Sequence, residues 1–257
     1  MRSWVFILFL IQTITYGQEW KIANALSVNA DYFVGVDSYN YSYWIKNKEV
    51  FKQSEKEFFS YSDTQLGAIY SVDITNPFSV LVFYYEAQTL VVLDNKFNEI
   101  NRIRFSDFPN VSEVGQIGNA GNQNIWTINL TTQRLEILDY RHRILQATSL
   151  LLSGEVVDMV SNYNTCYVQT SDYIYQFNNY GSVLNKIEAS SFTEIYSARK
   201  GVVLLNGDQW YFWERELDEP RLLSINLKKE SLKNLFYTRQ HLYVFDGKQL
   251  HTYIAEN

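Results

Sequence analysis

A repeat is the feature that most constrains this chain. Short runs rich in Val, Ile, Leu, Tyr and Phe come in groups of four, separated by Asn, Asp, Gly and Ser. Runs of this length and composition read as β-strands, and no long stretch has helical periodicity. The clearest group covers residues 68–72, 78–85, 89–93 and 99–105, its third strand ending in Asp94-Asn95. The next has 113–117, 124–130, 134–138 ending in Asp139, and 144–152. A third has 156–160, 165–169, 173–177 ending in Asn178-Asn179, and 183–188, and a fourth has 194–198, 202–205, 209–213 and 221–227. A further group near the start has 31–36, 42–46, 49–52 and 57–61, whereas the end supplies only three strands, 235–237, 241–245 and 249–254.

The second strands begin near residues 42, 78, 124, 165, 202 and 241, a period of about 40 residues. Four strands per period is the mark of a β-propeller. The incomplete last group needs an outer strand, and residues 19–23 (Glu-Trp-Lys-Ile-Ala) form a strand with no place in the first group. Pairing it with 249–254 removes an exposed edge and closes the ring. The expected fold is therefore all-β: a six-bladed β-propeller whose last blade is closed by the N-terminal strand. A β-sandwich is the alternative, but it does not require a constant period. A membrane β-barrel needs lipid-facing strands of about 9–11 residues, longer than most of these.

The repeats resemble propellers of the quinoprotein-like and WD40-like type over about residues 19–257, through phrases such as Thr89-Leu90-Val91-Val92-Leu93-Asp94-Asn95. The resemblance is one of pattern. The Trp-Asp and Gly-His signatures of WD40 blades are missing, as are the Trp-docking motifs and vicinal cysteines of quinoprotein alcohol dehydrogenases. No cofactor is carried over. The chain also resembles small periplasmic proteins of gliding, type 9-secreting bacteria, in its Asn/Tyr/Phe-rich strands, in Gly17-Gln18 and in the phrase from Val91 to Ile100. That likeness implies a periplasmic plug on an outer-membrane translocon.

Arg2, the apolar residues 4–11, and Thr15 and Gly17 at small-residue positions before Gln18 have the form of a secretory signal peptide. The expected division is residues 1–17 as leader and 18–257 as one propeller domain, exported to the bacterial periplasm or the periplasmic face of the outer membrane. The apolar stretch is too short for a membrane span, and no later segment is long enough. The single cysteine, Cys166, sits in a strand and reads as a buried thiol. A net charge of −6 without any basic run argues against nucleic-acid partners.

Catalytic motifs are absent. There is no G-x-S-x-G elbow and no calcium loop of the D-x-D-x-D-G type. Residues 118–122 (Gly-Asn-Ala-Gly-Asn) read as a flexible connection, lacking the Lys and the helix of a phosphate cradle. His241 and His251 fall on adjacent strands, where two imidazoles can begin a zinc site, but no third ligand accompanies them. Asp31, Asp37, Asp73, Glu113, Asp158 and Glu194 lie at inner strands. They serve either as backbone hydrogen-bond partners at a channel rim or as paired carboxylates acting on glycans.

Residues 209–213 (Gln-Trp-Tyr-Phe-Trp) must place aromatics on both faces of a strand. Packing between blades explains them, and a contact patch is the functional alternative. The acidic run that follows is a solvated loop suited to a basic partner. The candidate interaction residues are Trp210, Tyr211, Trp213, Glu214, Glu216, Asp218 and Glu219. The expected function is a non-catalytic protein-interaction module, a subunit of a secretion complex, with no cofactor or metal. The alternative is a glycan-binding or glycan-processing propeller using the channel acids.

Overall fold

Residues 80–84 and 90–93 are apolar throughout, and every one of them is buried, as is Thr89. A strand can bury both faces only when other layers cover it on each side. The computed structural model, which describes residues 19–256 apart from Asn110 and Ser112, shows how this is arranged. The expected leader, residues 1–17, lies outside the described residues.

The strands in chain order are β1 (Glu19–Ser27), then β2–β5 (Tyr32–Val36, Ser42–Lys46, Glu49–Gln53, Phe58–Tyr61) and β6–β9 (Ser71–Asp73, Val80–Tyr84, Thr89–Leu93, Glu99–Arg104). Next come β10–β13 (Val114–Gly121, Asn124–Asn129, Arg134–Asp139, Ile144–Thr148) and β14–β17 (Val156–Ser161, Thr165–Thr170, Tyr173–Asn178, Val183–Glu188). The chain ends with β18–β21 (Glu194–Ala198, Gly201–Asn206, Gln209–Trp213, Arg221–Leu223) and β22–β24 (Asn234–Tyr237, His241–Phe245, Gln249–Glu256). The only helical pieces among the described residues are three short 3₁₀ turns, Phe105–Asp107, Ala189–Ser191 and Lys229–Ser231. Each lies between the last strand of one group and the first of the next.

The fold is an all-β propeller. The groups β2–β5, β6–β9, β10–β13 and β14–β17 are four-stranded antiparallel meanders. The rest form one eight-stranded sheet in the order β1-β24-β23-β22-β18-β19-β20-β21. This departs from the expected separate four-stranded sheets. The cause is one parallel bridge, Ala198 to Tyr237, between two inner strands that approach closely. β1 pairs antiparallel with β24 from Glu19↔Glu256 to Ser27↔Gln249, and is longer than the expected 19–23. β6 is shorter than expected, and Tyr70 precedes it.

Turn chemistry explains the meanders. Asp94, Asp139 and Asn178 follow or end the third strands, and each side-chain oxygen accepts two backbone N–H bonds from its own turn, at 2.8–3.0 Å. This is the Asx-turn device.

Apolar clusters lie between successive groups. Leu81, Phe83 and Phe105 pack on Ile117, Ile125 and Leu138. Trp126 and Ile137 pack on Cys166, Val168 and Phe177. The ring of contacts also joins the two ends of the chain: Phe33 and Val36 pack on Phe236, Phe245 and Leu250, and the Asn234 side-chain amide donates to the Phe33 carbonyl.

Candidate functional site in the central channel

The inner strands of the groups surround a cavity of about 780 Å³. It runs from Tyr32, Tyr70, Gln116, Asp158 and Asn234, at or near their entry ends, to Asp37, Thr75, Asn162 and Arg199 where they leave. Propeller geometry dictates this, since only the first strand of each meander reaches the axis.

At the end where the strands leave, the polar groups are fixed. Asp37 accepts from the Tyr39 and Tyr41 N–H groups at 2.8 and 3.0 Å and from the Tyr43 hydroxyl at 2.7 Å. Burial, then the Asp37 carboxylate, raises the Tyr43 pKa. Arg199 donates to the Asp37 carbonyl at 2.7 Å, and Arg239 holds Glu214 at 2.8 Å. The loop 214–220 reaches this rim, where Glu214, Arg215 and Glu216 line the cavity.

Asp73 sits deeper. Its carboxylate accepts the Thr75 N–H at 2.7 Å and the Asn119 N–H at 2.8 Å. Burial raises its pKa, and these bonds oppose the rise. Residues 118–121 are not the flexible connection read from their glycines. They extend β10, and Gly118 lies directly against Ser161 of the next sheet, with no room for a Cβ.

The mouth where the strands enter differs. Tyr32 and Tyr70 are 49% and 53% exposed, so the mouth is open and aromatic. Asp158 is held by the Met159 N–H at 2.7 Å and by the Gln116 side chain. Burial, together with the charge of Glu194, pushes its pKa up to about 6. Desolvation and then the Asp158 charge raise the Tyr32 hydroxyl to about 12, and act in the same sense on Tyr70. Glu194 is itself bound by Lys229 and the Tyr196 hydroxyl.

The six acids picked from sequence thus part company. Asp37, Asp73 and Asp158 line the cavity. Asp31 caps an exposed turn with Lys46 and the Asn47 N–H, both at 2.9 Å. Glu113 accepts from the Tyr85 hydroxyl. Tyr32, Tyr70, Gln116 and Asn234 escaped notice, although positions 32, 70, 116, 158, 194 and 234 stand about one repeat apart.

The aromatic run resolves into core. Trp210 and Trp213 are fully buried, and their indole N–H groups donate to the Leu227 and Leu217 carbonyls at 2.9 Å. They offer no surface to a partner, which corrects their place among the interaction residues. Tyr211 is partly covered and meets Phe192 edge-on at 5.6 Å. Glu216, Asp218 and Glu219 are exposed. The Trp213 bond to Leu217, with Gln176 donating to the Glu214 carbonyl at 3.3 Å, pins their loop. His241 stacks on Tyr243 and pairs with Ile254, whereas His251 pairs with Val244 and bonds Asp246, so the two imidazoles are not opposed.

No helix among the described residues is long and apolar enough to cross a membrane. No protein-family model matches the chain, and no curated protein matches it. Solved structures do share its fold. A chain of the mitotic checkpoint complex is 10% identical, with a TM-score of 0.62 over 100% of this chain and 99% of that one. Virginiamycin B lyase from Staphylococcus aureus is 10% identical, with a TM-score of 0.60 over 92% and 99%. PorZ, a surface component of the type IX secretion system of Porphyromonas gingivalis, is 11% identical, with a TM-score of 0.50 over 92% of this chain and 39% of its own. At these identities the likeness is one of fold, the β-propeller, and one fold serves enzymes and assembly subunits alike.

Proposed function

We propose that this chain is a non-catalytic, exported six-bladed propeller that acts as a protein-interaction module in the bacterial periplasm or at the outer membrane, within a secretion complex. In this reading the eight-stranded sheet is two blades touching at one bridge, and β1 completes the sixth blade. The leader-like N-terminus supports export, and the fold shared with PorZ is consistent with a secretion setting.

One observation carries the non-catalytic part. Asp37, Asp73 and Asp158 each accept hydrogen bonds from the fold itself, and Glu194 is ion-paired with Lys229. Two-carboxylate hydrolysis needs a free pair across the substrate. The interaction surface in this reading is the pinned loop with Glu216, Asp218 and Glu219, bordered by Tyr211 and Glu214.

Cross-linking in intact cells of the source bacterium, followed by affinity capture, tests it. The expected result is a defined envelope complex that is lost when Glu216, Asp218 and Glu219 are changed together to Lys. Recovery of the chain only as an uncross-linked monomer would overturn the reading.

A further inference from the structure

We propose that the entry mouth of the channel binds an organic ammonium group, held by the Asp158 carboxylate between the rings of Tyr32 and Tyr70. The inference is independent of the acidic-loop reading above. It rests on how the mouth is built.

Asp158 lines a cavity of about 780 Å³ together with Tyr32, Tyr70, Gln116 and Asn234. No Lys, Arg or His side chain of the described residues forms an ion pair with it. Its partners are an N–H and an amide, which satisfy hydrogen bonds without cancelling charge. The neighbouring Glu194 adds a second negative group, only partly offset by Lys229. A desolvated carboxylate lacking a counter-ion is an unbalanced charge, and a ligand cation is what balances it.

The rings narrow the choice of cation. Tyr32 and Tyr70 stand half exposed at the mouth, near enough for the Asp158 charge to act on both hydroxyls. Tyrosine rings that line the same cavity as a carboxylate suit an ammonium group, which gains cation–π attraction as well as the ion pair. A metal ion fits poorly. No cluster of three or more His, Cys, Asp or Glu that could hold one occurs among the described residues, and a hard divalent cation takes about six oxygen ligands. A neutral sugar would leave the charge on Asp158 unanswered. Gln116, bonded to the carboxylate, supplies a side-chain amide oxygen that can accept an N–H of the ligand.

The same group could arrive on a free amine or on a lysine side chain of a protein. Calorimetric titration of the chain with n-butylamine and with Nα-acetyl-lysine methylamide separates the two. Comparable binding of both assigns a free amine, and binding of the lysine derivative alone assigns a protein side chain. Either result supports the site, provided that Asp158→Asn weakens binding about tenfold and that Tyr32→Leu and Tyr70→Leu each weaken it by about threefold. Should Asp158→Asn not fold, two measurements on the unaltered chain decide. Nε-acetylation of the lysine probe must abolish binding. Lowering the pH from about 7.5 to about 5 must weaken it, as Asp158, facing Tyr32, Tyr70, Gln116 and Glu194, takes up a proton. No heat with either amine at millimolar concentration, equal binding by Asp158→Asn, or retained binding of the acetylated probe would overturn the proposal. So would a preference for a neutral disaccharide such as cellobiose.

Discussion

The Asp73 carboxylate accepts the backbone N–H of Asn119 at 2.8 Å, across the gap between two sheets and 46 residues further along the chain. Its other oxygen takes the Thr75 N–H at 2.7 Å. One side chain therefore satisfies two backbone donors at the channel wall and links β6 to β10. Buried donors left without acceptors cost about 1–3 kcal/mol each. Asp73→Ala should destabilise the protein by about 2 kcal/mol or more in urea unfolding, with a smaller loss for Asp73→Asn, whose amide oxygen still accepts. Unchanged midpoints for Asp73→Ala would contradict this role.

One residue earlier, Gly118 has its α-carbon against Ser161 of the adjacent sheet, and a Cβ there would collide with the Ser161 hydroxyl and Cβ. Gly118→Ala should cost about 1–3 kcal/mol, as overpacking does. Ser161→Gly removes both colliding atoms, so the double variant should recover part of the loss. A thermodynamic cycle measures the coupling. Strictly additive losses would mean that the two sheets do not meet there.

These two contacts mark the limit of what the residue order reveals. The period of about 40 and the Asp or Asn at the end of three of the third strands are local signals, and Asp94, Asp139 and Asn178 do cap their turns. Residues 80–84 and 89–93 betray their double burial by lacking alternation. Residues 118–122 mislead because glycine permits either a loop or a close approach, and only the position of Ser161 decides between them. For Trp210 and Trp213 the sequence leaves packing between blades and a contact patch side by side, and the Leu227 and Leu217 carbonyls that receive their indoles put both in the core. Among the acids, Asp73 and Asp158 find partners on another sheet, Asn119 and Gln116, and spacing along the chain does not encode those.

The pairing of β1 with β24 joins the two ends of the described chain, and Trp20 meets Tyr237 edge-on at 5.9 Å beneath it. Without β1, the β24 edge loses its ladder partner and Trp20 leaves the cluster around Leu235 and Leu242. Trp20→Ala should cost about 2–3 kcal/mol, since this ring is only partly buried and full burial is worth more. Removal of residues 19–27 should lower the thermal midpoint well beyond that single change. Equal melting of the shortened and complete chains would show that the strand is dispensable.

Asp158 gives the fold a pH dependence of defined sign. Its pKa moves from 3.8 to about 6 through burial and the charge of Glu194, so the folded state binds the proton more tightly than the unfolded chain does. The associated stability is fully present below about pH 3.8 and is lost as the pH rises through about 6. The loss approaches about 2–3 kcal/mol above that range, at 1.36 kcal/mol per pKa unit. Asn at this position keeps the shape and removes the ionisation, so Asp158→Asn should melt at a higher temperature than the unaltered protein near pH 7.5. That advantage should shrink steadily on acidification and vanish near pH 4. Calorimetric melting of both proteins across this range reads the difference directly. An advantage that is constant with pH would assign it to packing, and a lower midpoint for Asp158→Asn at neutral pH would mean that the carboxylate already has a cationic partner.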